Sequence, residues 1–300
     1  MNEEQQTIQQ EQRADHPALV SAKAAEKIPS PPPDVGEWLK RLVATKSKQK
    51  VEERFDQQIA PAGLQQVAIQ TTNGAIDYVG DSQEMIAVHA YKRVKAPDHA
   101  TAEAFARQVA IHVEPQADTL RIYHTYPKPP RHVEVEVSFT VNGPRSMAVS
   151  GHSTNGQVAM RQVEGAVQAE STNGEIQLDA ISGAVTARCT NGGVSAKRLA
   201  VTGASEFRSH NGTVNVTIHQ GQAPITAATL NGSVHLALPP AYRGQLDART
   251  QNGQVRSAFQ MQITARSRTR LTGQIGGGGT DVLKLQSQNG NVTLAVASIA

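Results

Sequence analysis

Cysteine is almost missing from this 300-residue chain, in which Cys189 stands alone. A single thiol excludes an intrachain disulfide framework and any thiolate zinc cluster, since both need several cysteines at ligand spacing. Aromatic residues are scarce at 4% and charged residues reach only 18%, while 24 glycines and 15 prolines are unexceptional. Neither a charge-rich disordered chain nor a collagen-like one fits the whole. No apolar run approaches the ~20 residues that span a bilayer. Met1 is followed by Asn-Glu-Glu-Gln-Gln rather than by a basic and then apolar leader, so the sequence as written is expected to carry neither export signal nor anchor. What remains is a lean, small-residue β protein, long enough to bury a substantial core.

The net charge of +3 is unevenly spread: residues 150–300 carry 12 basic and 7 acidic side chains. That excess is too small, and the aromatics too few, for a specific nucleic-acid binder. It points instead towards anionic partners. Residues 1–50 read as a disordered tail or linker, with Pro29, Pro31, Pro32 and Pro33 breaking any helix and a short amphipathic stretch at 37–43 read as a linker helix. Residues 51–141 read as a β-rich capping module. Its strands include 66–70 and 85–90, its helix spans 101–110, and further strands follow at 111–113, 120–123 and 133–140.

From residue 142 to 300 the pattern is an internal repeat. Asn-Gly pairs stand at Asn155–Gly156, Asn173–Gly174, Asn191–Gly192, Asn211–Gly212, Asn231–Gly232, Asn252–Gly253 and Asn289–Gly290. The first five intervals are 18, 18, 20, 20 and 21 residues, and the last is 37. Glycines also fall midway, at Gly165 and Gly183, so the module is a nine-residue half-repeat of one strand and one corner. Asn and Gly suit a corner because both tolerate backbone conformations closed to β-branched residues. Between corners apolar and polar residues alternate, as in Ile176 and Leu178 against Gln177 and Asp179. Each half-repeat exposes one apolar row that it cannot bury alone. Stacked parallel coils of a β-helix bury such rows, with the Asn-Gly corners forming a ladder; an antiparallel meander is the alternative. The near-constant repeat length favours an all-β parallel β-solenoid.

Chemistry-bearing constellations are sparse. Glu175 and Asp179 share an outward strand face, but Arg188 is the one cation expected nearby, and a solvated face explains them. Ten histidines fall in no metal-ligand spacing. The run 151–156 has the wrong glycine spacing for a nucleophile elbow and belongs to the corner series. Gly276 to Gly279 lacks the Lys-Ser/Thr of a phosphate loop. Cys189 lies on the inward phase with Val185 and Ala187, as a small buried thiol does. No catalytic residue, cofactor or metal ligand is assigned. The best binding feature is the segment 262–271, read as one strand with Arg266, Arg268 and Arg270 on a single face. Such a row either guards an edge or captures an anionic polymer or lipid headgroup.

Three segments carry a family resemblance: the opening 64–76 with Thr71-Thr72-Asn73-Gly74, the Thr/Ser-x-Asn-Gly-x-Val series of 153–258, and the closing 271–292. In these the chain resembles the bacterial "putative adhesin" family, domain of unknown function 4097, from about Val51 to Ala300. The resemblance implies repetitive β structure, a cell-envelope setting in many members and no established enzyme activity. The function expected is therefore a non-enzymatic solenoid scaffold or adhesion-type binding protein of the bacterial envelope. Its expected partner is an anionic envelope polymer or another surface protein, and the chain is expected to be a monomer without a transmembrane segment. A self-assembling structural protein and a carbohydrate-active β-helix enzyme are the alternatives.

Overall fold

Alternation between the corners makes strands, and the computed structural model, which describes residues 48–82 and 85–297, assembles them into two sheets. The chain enters through β1 (Gln49–Ile59), β2 (Gln66–Asn73), β3 (Ile76–Asp81) and β4 (Ile86–Ala96), passes the helix α1 (His99–Ala106), and returns as β5 (Ala110–Gln116), β6 (Thr119–Thr125) and β7 (Glu134–Pro144). The repeat follows as β8 (Ala148–Asn155), β9 (Val158–Val163), β10 (Val167–Asn173), β11 (Ile176–Gly183), β12 (Val185–Asn191), β13 (Val194–Val201), β14 (Ser205–Asn211), β15 (Val214–Gly221), β16 (Ile225–Asn231) and β17 (Val234–Leu238). It closes with β18 (Gly244–Asn252), β19 (Val255–Ser257), the hairpin β20 (Met261–Arg266) and β21 (Arg270–Ile275), and finally β22 (Val282–Asn289) and β23 (Val292–Val296). The 37–43 stretch lies outside the described residues. The expected tail end at residue 50 overlaps β1, because Gln49 and Lys50 pair with Ala96 and Lys95 of β4. The boundary at 141/142 falls inside β7.

Each coil puts one strand in each sheet, and neighbouring coils pair in parallel, as β10 does with β8 and β12. The protein is thus a two-sheeted parallel β-solenoid rather than a meander. Antiparallel pairing is found at the ends, in β1–β4, β4–β7, β5–β6, β18–β21 and β20–β21. The coils are not stacked in chain order. One sheet runs β4-β7-β3-β9 at its start and β17-β23-β19 at its end; the other runs β6-β2-β8 and β16-β22-β18. The coil β2/β3 is therefore enclosed between β6/β7 and β8/β9, and the last coil in sequence, β22/β23, inserts between β16/β17 and β18/β19. The 37-residue interval from Asn252 to Asn289 holds the hairpin that carries the chain out and back.

Two side-chain ladders fix the corners. In the first, each asparagine amide donates to the carboxamide oxygen of the coil before it. Asn155 donates to Asn73 at 2.7 Å, and the series continues through Asn173, Asn191, Asn211, Asn231 and Asn289 to Asn252 at 2.7 to 2.9 Å. Asn73 closes the ladder on the Val135 carbonyl at 3.2 Å. In the second, the residue two before each asparagine donates to the preceding glycine carbonyl. Ser153 reaches Gly74, Ser171 reaches Gly156, Ser209 reaches Gly192, Thr229 reaches Gly212, Ser287 reaches Gly232 and Thr250 reaches Gly290. Cys189 fills the same slot, its thiol 3.0 Å from the Gly174 carbonyl, and burial pushes that thiol up from its ordinary pKa. A buried carbonyl facing solvent-free space is costly, so each hydroxyl or thiol satisfies one lone pair of its corner.

Inward rows fill the space between the sheets. Phe207 is fully buried and lies between Ala187 and Ala227 in the same row, so one ring is accommodated by two small neighbours. The expected alternation needs one amendment. Gln162, Ala180 and Arg198, 18 residues apart, adopt left-handed φ values of 58°, 54° and 51°. These bulges re-phase β9, β11 and β13, turning Val163, Ile181 and Leu199 inward.

The N-terminal end is closed by α1, which begins at His99, two residues before the expected start, because the Asp98 carboxylate accepts from the Thr101 amide at 2.8 Å. Lys92, buried on β4, donates to the Ala106 and Val109 carbonyls at the helix end and pairs with Glu53 of β1 at 2.7 Å. Among the described residues no helix is long and apolar enough to cross a membrane.

Candidate functional site

Outward-facing residues of equivalent coils stack into rows, and one row creates a concave surface. In the β12-β14-β16-β22-β18 stretch the register places Arg188, Arg208, Ala228, Gln286 and Arg249 side by side. The next outward residues along those strands include His210, Leu230, Gln288 and Gln251. Long side chains on both sides of the short Ala228 leave a groove of about 640 Å³. Arg208 and Arg249 stand three rungs apart, ~14 Å at the usual strand spacing. Gln286 stands between Ala228 and Arg249 because β22 is inserted between β16 and β18.

Carboxylates hold these arginines in place. Arg188 reaches Glu206 through two nitrogens at 3.4 and 3.2 Å, and Arg208 donates to the same carboxylate. Arg188 above all, with Arg208 beside it, holds the Glu206 carboxyl below its usual range, and Glu206 in turn raises Arg188. Arg249 makes a two-point contact with Asp247 at 2.7 and 2.6 Å, which raises the guanidinium's pKa. Arg188 also lies 4.0 Å from Glu170, whereas Arg208 and Arg249 are each held by one carboxylate and keep further N–H donors for a ligand in a fixed orientation.

A second cleft, of about 580 Å³, lies at the N-terminal corners between Asn73, Gly74 and Asn155 on one side and Arg93, Tyr126 and Glu136 on the other. Its polar groups are engaged in closing the solenoid: Asn73 caps the ladder, Ser138 accepts from the Ala75 amide, and Arg93 pairs with Glu136 at 3.0 Å.

The sequence-derived residues are placed as follows. The seven Asn-Gly pairs all lie on the one corner ladder, which extends to Asn73–Gly74 in the segment read as a cap. The strand expected over 262–271 is instead a hairpin. Ser267 and Thr269 form its turn, with the Ser267 amide donating to the Arg270 carbonyl at 2.8 Å and the Thr269 amide to the Ser267 hydroxyl at 3.2 Å. Arg266 therefore ends β20, Arg268 sits in the turn and Arg270 starts β21, so the three do not share one strand face. Asp179 pairs with Arg198 rather than lying near Arg188, while Glu175 accepts from Gln177 at the corner. His89 contacts Asp56 at 2.5 Å. Among the described residues no group of three or more His, Cys, Asp or Glu is placed to hold a metal ion.

The family model Toastrack DUF4097 matches residues 142–295, just over half of the chain. Among solved structures, a "putative adhesin" from Bacteroides fragilis is similar at 13% identity, covering 83% of this chain and 98% of that one with a TM-score of 0.38. A "putative cell adhesion protein" from Clostridium sporogenes is similar at 9% identity, covering 82% and 100% with a TM-score of 0.34. No curated protein matches the chain. With its repeat matched from the end of β7 to the last strand, the chain belongs to the Toastrack DUF4097 family.

Proposed function

We propose that the protein is a non-enzymatic, adhesion-type binding scaffold of the bacterial cell envelope, and that the groove over Ala228 holds an anionic envelope polymer. The observation that carries this reading is the convergence of Arg188, Arg208 and Arg249 from three coils around one short residue, each guanidinium oriented by a carboxylate. A rigid, repetitive outer face suits an extended ligand, because successive donors repeat along the rungs. Glutamine amides at 251, 286 and 288 add neutral donors and acceptors for hydroxyl groups.

Retention on immobilised polygalacturonate, with dextran as the neutral control, tests the reading. Wild-type protein is expected to be retained on the acidic polymer and released by salt. Charge-assisted hydrogen bonds are worth ~1.5–3 kcal/mol each, so Arg208→Gln with Arg249→Gln is expected to weaken binding at least about 100-fold. Equal retention on dextran, or a double variant that binds like wild type, overturns the assignment.

A further inference from the structure

The two sheets end unequally at the C-terminal end. One stops at the three-residue β19, whereas the other continues past β18 through β21 to the edge strand β20. The inward phase of β20 therefore has no facing rung. Ile263 is 48% exposed, and Val296, beyond the reach of the short β19, is 42% exposed; both are rare among the described large apolar side chains. Phe259 and Met261 are half-buried at the same end, and with Ile263, Leu271 and Arg266 they line one small cavity of about 60 Å³.

Charge gathers at this end. Residues 150–238 carry five basic and five acidic side chains, whereas 239–297 carry seven basic and two acidic ones. The whole positive excess of the repeat is thus confined to the last coils and their hairpin. Asp247 is engaged by Arg249. The side chains of Arg266, Arg268 and Arg270 are exposed and have no hydrogen-bond or ion-pair partner among the described residues.

We infer that this end of the solenoid docks on an anionic lipid surface, with the three arginines on phosphate headgroups and Ile263 entering the interfacial layer. Unpaired guanidiniums beside exposed apolar side chains match a surface that is anionic outside and apolar beneath. A soluble polyanion would use the charges and leave Ile263 unexplained. A second copy docked through the same end would bring six unpaired guanidiniums together, which like-charge repulsion opposes. The site adjoins the groove, since Arg270 is the cross-strand partner of Arg249, but it does not rest on the ligand proposed for the groove.

Co-sedimentation of the full chain with phosphatidylcholine vesicles, with and without phosphatidylglycerol, tests the inference. Binding is expected only with phosphatidylglycerol and is expected to fall as salt rises. Each arginine near an anionic membrane contributes ~1 kcal/mol, so Arg266→Gln, Arg268→Gln and Arg270→Gln together are expected to lower partitioning about 100-fold. Ile263→Asn, which leaves the charges in place, is expected to weaken vesicle binding without altering retention on soluble polyphosphate. Arg208→Gln, in the groove, is expected to leave vesicle binding unchanged. Thermal unfolding of each variant shows that the fold is retained. Undiminished vesicle binding by the triple variant overturns the inference. So does a triple variant that dimerises, which would make the arginines edge guards, or an Ile263→Asn variant with full vesicle affinity, which would make the ligand a soluble anion.

Discussion

Gly174→Val is expected to destabilise the protein by ~3 kcal/mol or more, while Thr172→Ser, two residues away, changes stability by less than about 0.5 kcal/mol. The cause is coil-to-coil approach rather than an unusual φ at this glycine. A Cβ on Gly174 would stand 2.1 Å from the Gly156 carbonyl oxygen, which belongs to backbone and cannot swing aside. Gly156, Gly212 and Gly253 meet the same obstacle at 1.9, 2.2 and 2.1 Å. Positive φ adds to the requirement at Gly74, Gly192, Gly232 and Gly290, whose values run from 144° to 156°. Thr172 points outward and is half-buried, so losing its methyl group disturbs little. Urea unfolding of both variants checks the contrast, and equal midpoints would remove the corner from the account.

Phe207→Ala is expected to cost ~3–5 kcal/mol, at the large end for a single core truncation. The ring is wholly buried, and its row neighbours Ala187 and Ala227 are too small to fill the space it leaves. Sheet strands pinned by corners above and below have little freedom to collapse inward. Urea titration should show a lowered midpoint at an unchanged slope, since the surface exposed on unfolding stays nearly the same. A shift below about 1 kcal/mol would mean that the row is not packed in this register.

The corner ladder and the strand alternation were legible in the sequence because each corner repeats the same local demand. A hydroxyl or thiol satisfies a glycine carbonyl, an asparagine continues the amide chain, and a glycine clears the neighbouring coil. The order of the coils was not legible for the same reason. Corners that present identical ladders at Asn231, Asn252 and Asn289 do not specify which of them are neighbours, and only the 37-residue interval hinted at an excursion. The edge strand β1 was hidden because Val51, Phe55 and Ile59 recur every fourth residue, with Glu53 facing inward to meet Lys92. The turn in the 262–271 segment was hidden because Ser267, Arg268 and Thr269 include no glycine, proline or asparagine, and alternation runs through them unbroken. The groove draws on five strands far apart in sequence, and each of its residues reads individually as an ordinary outward side chain.

The groove has the width described only if the last coil inserts between two earlier ones, which places Gln286 between Ala228 and Arg249. A pair of engineered cysteines tests this directly in a Cys189→Ser background. Thr226 and Lys284 are Cα partners on adjacent strands, and Asp247 lies one rung beyond Lys284. Adjacent strands stand ~4.8 Å apart, inside the range a disulfide spans, whereas two rungs separate Cα atoms by ~9.6 Å, outside it. Thr226→Cys with Lys284→Cys is expected to oxidise readily in the folded protein, and Thr226→Cys with Asp247→Cys is not. Ready oxidation of the second pair and not the first would mean that the coils stack in chain order, and would contradict the coil order of the fold and the place of Gln286 in the groove.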